Sequence, residues 1–243
     1  MCGRYTLTKK DFRDLARELD ATYDEAIAAQ FRPRYNIAPT DQSWIVREKR
    51  EQRQLMPAGW GLINSWAADA KGAFKQINAR SETAPDRPAF RDAFESRRCI
   101  VPADGFFEWT GPKDNRQPVW FHAPDSGLIL FAGLYESWRN PQDGEWRRTF
   151  TILTTSANDI VRPVHDRMPV ILPRDVIADW LHVPATDPAA YAKGVRALLR
   201  PAASDVLIAT EVSKRVNSVA NDDEACLAPA HDRESGEQVG LGI

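Results

Sequence analysis

The chain has 243 residues, 43% of them hydrophobic and 27% charged, with a formal net charge of -2. This length and balance suit a soluble chain of one large domain or two small ones, and give bulk electrostatics no reason to coat nucleic acid unspecifically. No run of roughly 18 apolar residues predicts a membrane span, and the start, Met1-Cys2-Gly3-Arg4-Tyr5, lacks the apolar core of a secretory signal. The three cysteines, Cys2, Cys99 and Cys226, are far apart. That argues against a disulfide scaffold and fits a reducing compartment, so a cytoplasmic location is expected, at the nucleoid if the source is bacterial.

Thr8 and Asp11 offer caps for a helix over roughly 9–20, with Phe12, Leu15, Ala16 and Leu19 on one face. A short helix is predicted over 23–30, and 32–40 reads as an irregular loop broken by Pro33 and Pro39. Strands are expected at 44–47 and 55–62, a helix at 88–96, and a buried strand at 99–102. Strands and turns then alternate through 106–109, 118–123, 128–135 and 148–155. Helices follow at 157–162, 173–182 and 187–199, and a late strand at 205–212. Without repeats, long linkers or a βαβ rhythm, this order predicts an α+β fold: one domain over 1–230, its mixed sheet curled and barrel-like and flanked by helices. A polar tail over 231–243 is expected to be disordered.

Cys2 is the first residue with distinctive chemistry. Removal of Met1 leaves it with a free α-amine, whose ordinary pKa is about 7.7–8.0, and a thiol on the adjacent carbon. The neutral amine can attack an aldehyde to give an imine, and the thiol can then close a thiazolidine ring. A terminal cysteine also serves amidohydrolases of the N-terminal-nucleophile type, where the thiol attacks an amide and the α-amine acts as base. Cys2-Gly3 fits both classes.

Four further segments stand out: Tyr35-Asn36-Ile37-Ala38-Pro39-Thr40, Asn78-Ala79-Arg80-Ser81-Glu82-Thr83, Pro102-Ala103-Asp104-Gly105-Phe106-Phe107-Glu108-Trp109 and His165-Asp166-Arg167-Met168-Pro169. With the first five residues, and in this order, they resemble the SOS response-associated peptidase (SRAP) family from residue 1 to about 220. Phenylalanines stand here where the family's segment before Glu108 is usually tyrosine-rich. The resemblance implies covalent capture of abasic sites in single-stranded DNA through a thiazolidine on the mature Cys2. It also implies a peptidase activity that removes Met1, and lyase-like chemistry.

Residue chemistry agrees with that picture. Glu108, among Phe106, Phe107 and Trp109, is a candidate general acid and base for imine formation. His165, an imidazole in a dense motif, can protonate the sugar ring oxygen to open the hemiacetal. Asn78 offers a donor and an acceptor to orient the reactants, and Arg80, two residues on, faces the same side of an extended stretch. Arg4 and Arg80 are the candidate phosphate ligands, with Lys75, Arg162, Arg167 and Arg215 weaker ones, and Asn36 and Pro39 shape the loop beside the pocket. Of the eight tryptophans, Trp66 sits in a predicted loop and is the candidate for stacking on a base. Trp44, Trp120 and Trp180 are expected in the core.

Cys2, Cys99, Cys226 and His165 lack the short spacings of a zinc site, and no Gly-rich phosphate loop is present, so no metal or organic cofactor is expected. The expected partner is single-stranded DNA with an abasic site, bound by a monomer, with replication-associated proteins as further candidates. A non-covalent single-strand binding module is a third reading.

Overall fold

Arg50 and Glu51 hold positive φ values of 52° and 61° and form the two-residue turn of a hairpin whose strands pair from Lys49↔Gln52 to Gln42↔Gly59. Two successive positive φ values are type I′ geometry, whose twist matches that of the strands it joins. The computed structural model describes residues 2–230. The chain begins with β1 (Tyr5–Leu7), α1 (Phe12–Glu18), α2 (Glu25–Ala28) and β2 (Arg34–Ile37), then the hairpin β3 (Gln42–Lys49) and β4 (Gln52–Trp60). Next come β5 (Asn78–Arg80), α3 (Arg91–Ser96), β6 (Arg98–Ala103), β7 (Gly105–Thr110), β8 (Gln117–His122), β9 (Ile129–Arg139) and β10 (Trp146–Ser156). The order ends with β11 (Arg167–Pro169), α4 (Ile177–Leu181), α5 (Pro188–Val195) and β12 (Ile208–Glu211). Among the described residues no helix is long and apolar enough to cross a membrane.

Five strands close a barrel. β10 pairs with β4, β4 with β3, β3 with β6, β6 with β9, and β9 back with β10; only β4–β10 is parallel. Closure leaves these strands no free edge. A second, antiparallel sheet runs in the order β12-β8-β7-β1-β2. Tyr5 and Phe106 of that sheet pack against barrel aromatics: Tyr5 meets Trp60 edge-on at 5.1 Å, and Phe106 meets Phe131 at 6.0 Å. The expected curled, mixed sheet is thus present, as a barrel with a second sheet sealed onto it.

Long β10 organises the site end of the barrel. β9 pairs with its first part and β11 with Thr154–Ser156, along one edge. β4 and then β5 pair along the other edge, with Ile152↔Asn78 and Thr154↔Arg80. The Asn78 and His165 segments therefore flank the same end of one strand.

Several expectations need correction. The helix expected at 157–162 is a series of turns. There Asn158 accepts the Val161 N–H on Oδ1 at 3.1 Å and donates through Nδ2 to Ala202 O at 3.2 Å, so its side chain competes with helical backbone bonding. The stretch 32–40 contains β2, which pairs with β1 and whose Tyr35 and Asn36 N–H groups donate to Asp222 at 2.7 and 3.0 Å. The first helix covers only 12–18, capped by Asp11, which accepts from the Arg13 and Asp14 N–H groups. The helix expected over 173–182 is a 3-10 turn, Arg174–Val176, leading into α4. Trp44 and Trp180 are buried, as is Cys99, whereas Trp120 is only half-buried. The tail 231–243 lies outside the described residues.

Candidate active site and nucleic-acid groove

β1 and β7 bring the first candidates together. Tyr5 pairs with Phe106, and the Phe107 N–H donates to Arg4 O at 3.0 Å. Continuing that register sets Gly3 opposite Glu108. Side chains alternate along β7. Phe106 enters the main core, while Phe107 packs on the other face with Val212, Val216 and Cys226. Glu108 shares the inner face with Phe106 and is only 5% exposed. Gly105 lets β7 lie this close to β8: a Cβ there would stand 2.1 Å from the Trp120 Nε1 atom and 2.8 Å from Phe121 O.

Burial raises the Glu108 carboxyl above its ordinary value of 4.5, and the His165 charge opposes that rise in part. Cys2 is fully buried, and burial, then the Glu108 charge, push its thiol well above the ordinary thiol range. The Cys2 thiol therefore keeps its proton at neutral pH. Asn78 Nδ2 donates to Cys2 O at 2.7 Å. The Asn78 Oδ1 atom is buried, and no donor among the described residues reaches it.

His165 follows the turns after β10. Its Nδ1 accepts the Arg167 N–H at 2.9 Å and lies 2.9 Å from Oδ1 of Asp166. Nδ1 thus faces both a backbone donor and a carboxylate. The centre therefore joins a cysteine, a carboxyl of raised pKa, an imidazole and an amide from four separated segments. Such a set can shuttle protons around a nucleophile shielded from water.

A groove of about 680 Å³ is lined by Gly3 and Arg4, the two residues that follow Cys2. Its walls include Pro39, Trp109, Asn217 and Val219, and it carries Lys113 and Arg116 with Asp41 and Asp114. Arg4 lies over the Trp109 ring at 5.7 Å. Lys113 and Arg116 escaped the sequence reading, although a basic turn between two strands, Gly111-Pro112-Lys113-Asp114-Asn115-Arg116, is a usable signal.

The other candidates are spread out. Arg80 is exposed on β5, on the Asn78 face. Trp66 is 71% exposed on the loop between β4 and β5 and does not line the groove. Arg167 is committed to Glu82 through two bonds of 2.6 and 2.8 Å, so its guanidinium fastens β11 to the segment after β5. Arg162 bonds Ala157 O and pairs with Asp159 on its own turn. Asn36 is buried and binds protein rather than facing the groove.

A closed barrel with a sheet sealed against it, and a buried cysteine centre at the start of the chain, defines a β-rich protein with an N-terminal cysteine site. The family model described as SOS response associated peptidase (SRAP) matches residues 1–219, and the chain belongs to that family. A Bacillus subtilis (strain 168) relative named abasic site processing protein YoqW is 39% identical over 224 residues, covering 91% of this chain and 96% of its own. The Gallus gallus abasic site processing protein HMCES is 31% identical over 234 residues, covering 82% of this chain and 67% of its own. A solved structure of a Bacteroides thetaiotaomicron protein aligns with a TM-score of 0.81 at 26% identity, covering 95% of this chain and all of that one.

Proposed function

We propose that this chain captures the aldehyde of an abasic site in single-stranded DNA through Cys2, after hydrolysis of the Met1–Cys2 bond. The carrying observation is the buried meeting of Cys2, the raised Glu108 carboxyl and Asn78, next in the chain to Gly3 and Arg4, which line a groove that also holds Lys113 and Arg116. The names of the relatives, abasic site processing proteins, support the same reading.

The steps balance without a further reactant. His165 gives a proton to the sugar ring oxygen while the anomeric hydroxyl gives up its own, which restores the imidazole, and the hemiacetal opens to the aldehyde. The neutral Cys2 amine attacks the carbonyl carbon and forms a carbinolamine. Glu108 in its acid form protonates the departing hydroxyl, water leaves, and the iminium N–H proton returns to the Glu108 carboxylate, so a neutral imine remains. The Sγ atom then adds to the imine carbon, the thiol proton ends on the nitrogen, and the thiazolidine closes.

Arg4 and Arg80 hold phosphates, with Lys113 and Arg116 extending the basic wall, and Pro39 shapes the groove. Trp66 offers a stacking face to a base beside the lesion, worth about 1–3 kcal/mol. A single strand can bend to bring its sugar to a buried amine, whereas a duplex resists that deformation.

Protein verified by mass to begin at Cys2 is mixed with single-stranded oligonucleotides, with and without one abasic site, and run on a denaturing gel. A shifted band is expected only with the lesion, and is lost in Cys2→Ala and when an added residue blocks the amine. Absence of any shifted band from the wild-type protein would overturn the reading.

A further inference from the structure

Arg4 is held more firmly than a groove-lining arginine needs for burial alone. Its Nη1 donates to Asn36 Oδ1 at 2.8 Å and to Val216 O at 2.9 Å. Trp109, whose ring lies under the guanidinium, is itself fixed, because its Nε1 donates to Asn217 Oδ1 at 2.7 Å. Val216 and Asn217 belong to the segment 213–222, which crosses the outer face of β7 as a strap and supplies Asn217 and Val219 to the groove wall.

The strap is anchored by two buried or half-buried groups, Asn36 on β2 and Asp222 at its own end. Asn36 Nδ2 faces three of its carbonyls, Val216 O at 3.2 Å, Ser218 O at 3.0 Å and Asn221 O at 2.7 Å. Asp222 closes the strap on β2: it accepts the Tyr35 and Asn36 N–H groups and pairs with Arg34 and, at 3.1 Å, Arg32. One amide thus grips Arg4 with its oxygen and the strap with its nitrogen. Among the described residues nothing takes the N–H groups of Arg4 Nε or Nη2.

We propose that Asn36, with the strap it holds through Asp222, positions Arg4 so that Nε and Nη2 present a preset fork to the DNA phosphate beside the captured sugar. This rests on the reading of the groove as a DNA site. Asn36 and Asp222 are positioning residues: they touch Arg4 or the strap and not the reacting atoms. A preset fork loses little freedom on binding, which is how preorganisation strengthens a contact.

The test uses the full chain in two formats: crosslinking rate against concentration of abasic oligonucleotide, and non-covalent affinity in Cys2→Ala for single-stranded DNA across a salt series. Asn36→Ala is expected to raise the half-saturating DNA concentration about tenfold, with the rate at saturation changing by less than about twofold. The slope of log affinity on log salt falls by about one, the signature of one lost phosphate contact. Combined with Arg4→Ala, it adds nothing to the loss from Arg4→Ala alone. If Asn36→Ala does not fold, Asp222→Asn loosens the strap without touching Arg4, and a smaller rise with the same dependence on Arg4 is expected. Unchanged salt slope and half-saturation, or equal losses with and without Arg4, would overturn the positioning role. DNA binding without any crosslink sinks the capture chemistry and leaves the cycle readable from affinity; no DNA binding at all sinks both.

Discussion

On the inner face of β7, Glu108 sits beside Phe106 with a carboxyl raised by burial. On the outer face, Trp109 and Phe107 meet the strap and Arg4, and the polar groups there are tied by a dense set of hydrogen bonds. One strand thus separates two kinds of environment. The inner one withholds solvation, which costs stability and raises a carboxyl above its ordinary value, so that it holds its proton to higher pH than an exposed one. The outer one supplies partners to a cation that stays charged and presents it in a fixed direction. Chemistry on one face and grip on the other should fail separately.

The largest expected effect comes from breaking the inner face. Glu108→Gln keeps the shape and removes the proton shuttle, so crosslinking slows by about 10²–10⁴-fold, while affinity for single-stranded DNA stays within about twofold of the parent. The same substitution should stabilise the fold, with a definite sign in pH. The folded-state carboxyl is raised above its unfolded value, so its contribution is fully present below the unfolded pKa and is lost as pH rises through the folded one. The melting temperature of Glu108→Gln should therefore match the parent near pH 4 and exceed it progressively toward pH 8, by about 2–4 °C for each kcal/mol relieved. Thermal melts across that range check it, and a gap that widens toward acid would contradict the raised carboxyl. In the parent, the crosslinking rate should also fall on the alkaline side as Glu108 loses its proton.

Gly105 lies where the outer packing leaves no room, and Ala there strikes Trp120 and the Phe121 carbonyl. The Trp120 ring must move, taking with it the bond from its Nε1 to Thr6 Oγ1. Overpacking of this kind costs about 3 kcal/mol, read by denaturant titration. At a temperature where the variant is still folded, DNA affinity should suffer before the saturating crosslinking rate does, because the displaced ring supports the Phe107 side. The reverse order would mean that the two faces are coupled.

Much of the inner face was legible in the sequence. Cys2, Asn78, Glu108 and His165 each stood in a compact segment of distinctive chemistry, and the structure brings all of them to one centre. The outer face was far less legible. Asn36 reads as part of a loop, yet its role depends on carbonyls of residues 216, 218 and 221, which no local pattern reveals. Arg167 and Arg4 look alike as arginines in motifs, but one is locked to Glu82 and the other opens on the groove. The strand at 34–37 was hidden for the same reason, since its backbone partners are β1 and Asp222. Local chemistry survives in sequence, whereas long-range hydrogen-bond partners do not.

The turn at Arg50 and Glu51 provides the smallest effect and a control for both faces. It lies at the far end of β4 from Trp60, which packs against Tyr5. Both residues occupy the left-handed region, where a side chain costs about 1 kcal/mol or more unless it is glycine or asparagine. Replacing the pair by Asn-Gly suits the I′ turn and should raise stability by about 1 kcal/mol, or about 2–4 °C in melting temperature. If β7 truly divides chemistry from grip, added global stability reaches neither, and both the crosslinking rate and the DNA affinity should stay within about twofold of the parent. A stabilised variant that altered either one would show that breathing of the barrel, and not the local arrangement on each side of β7, sets the access of DNA to Cys2.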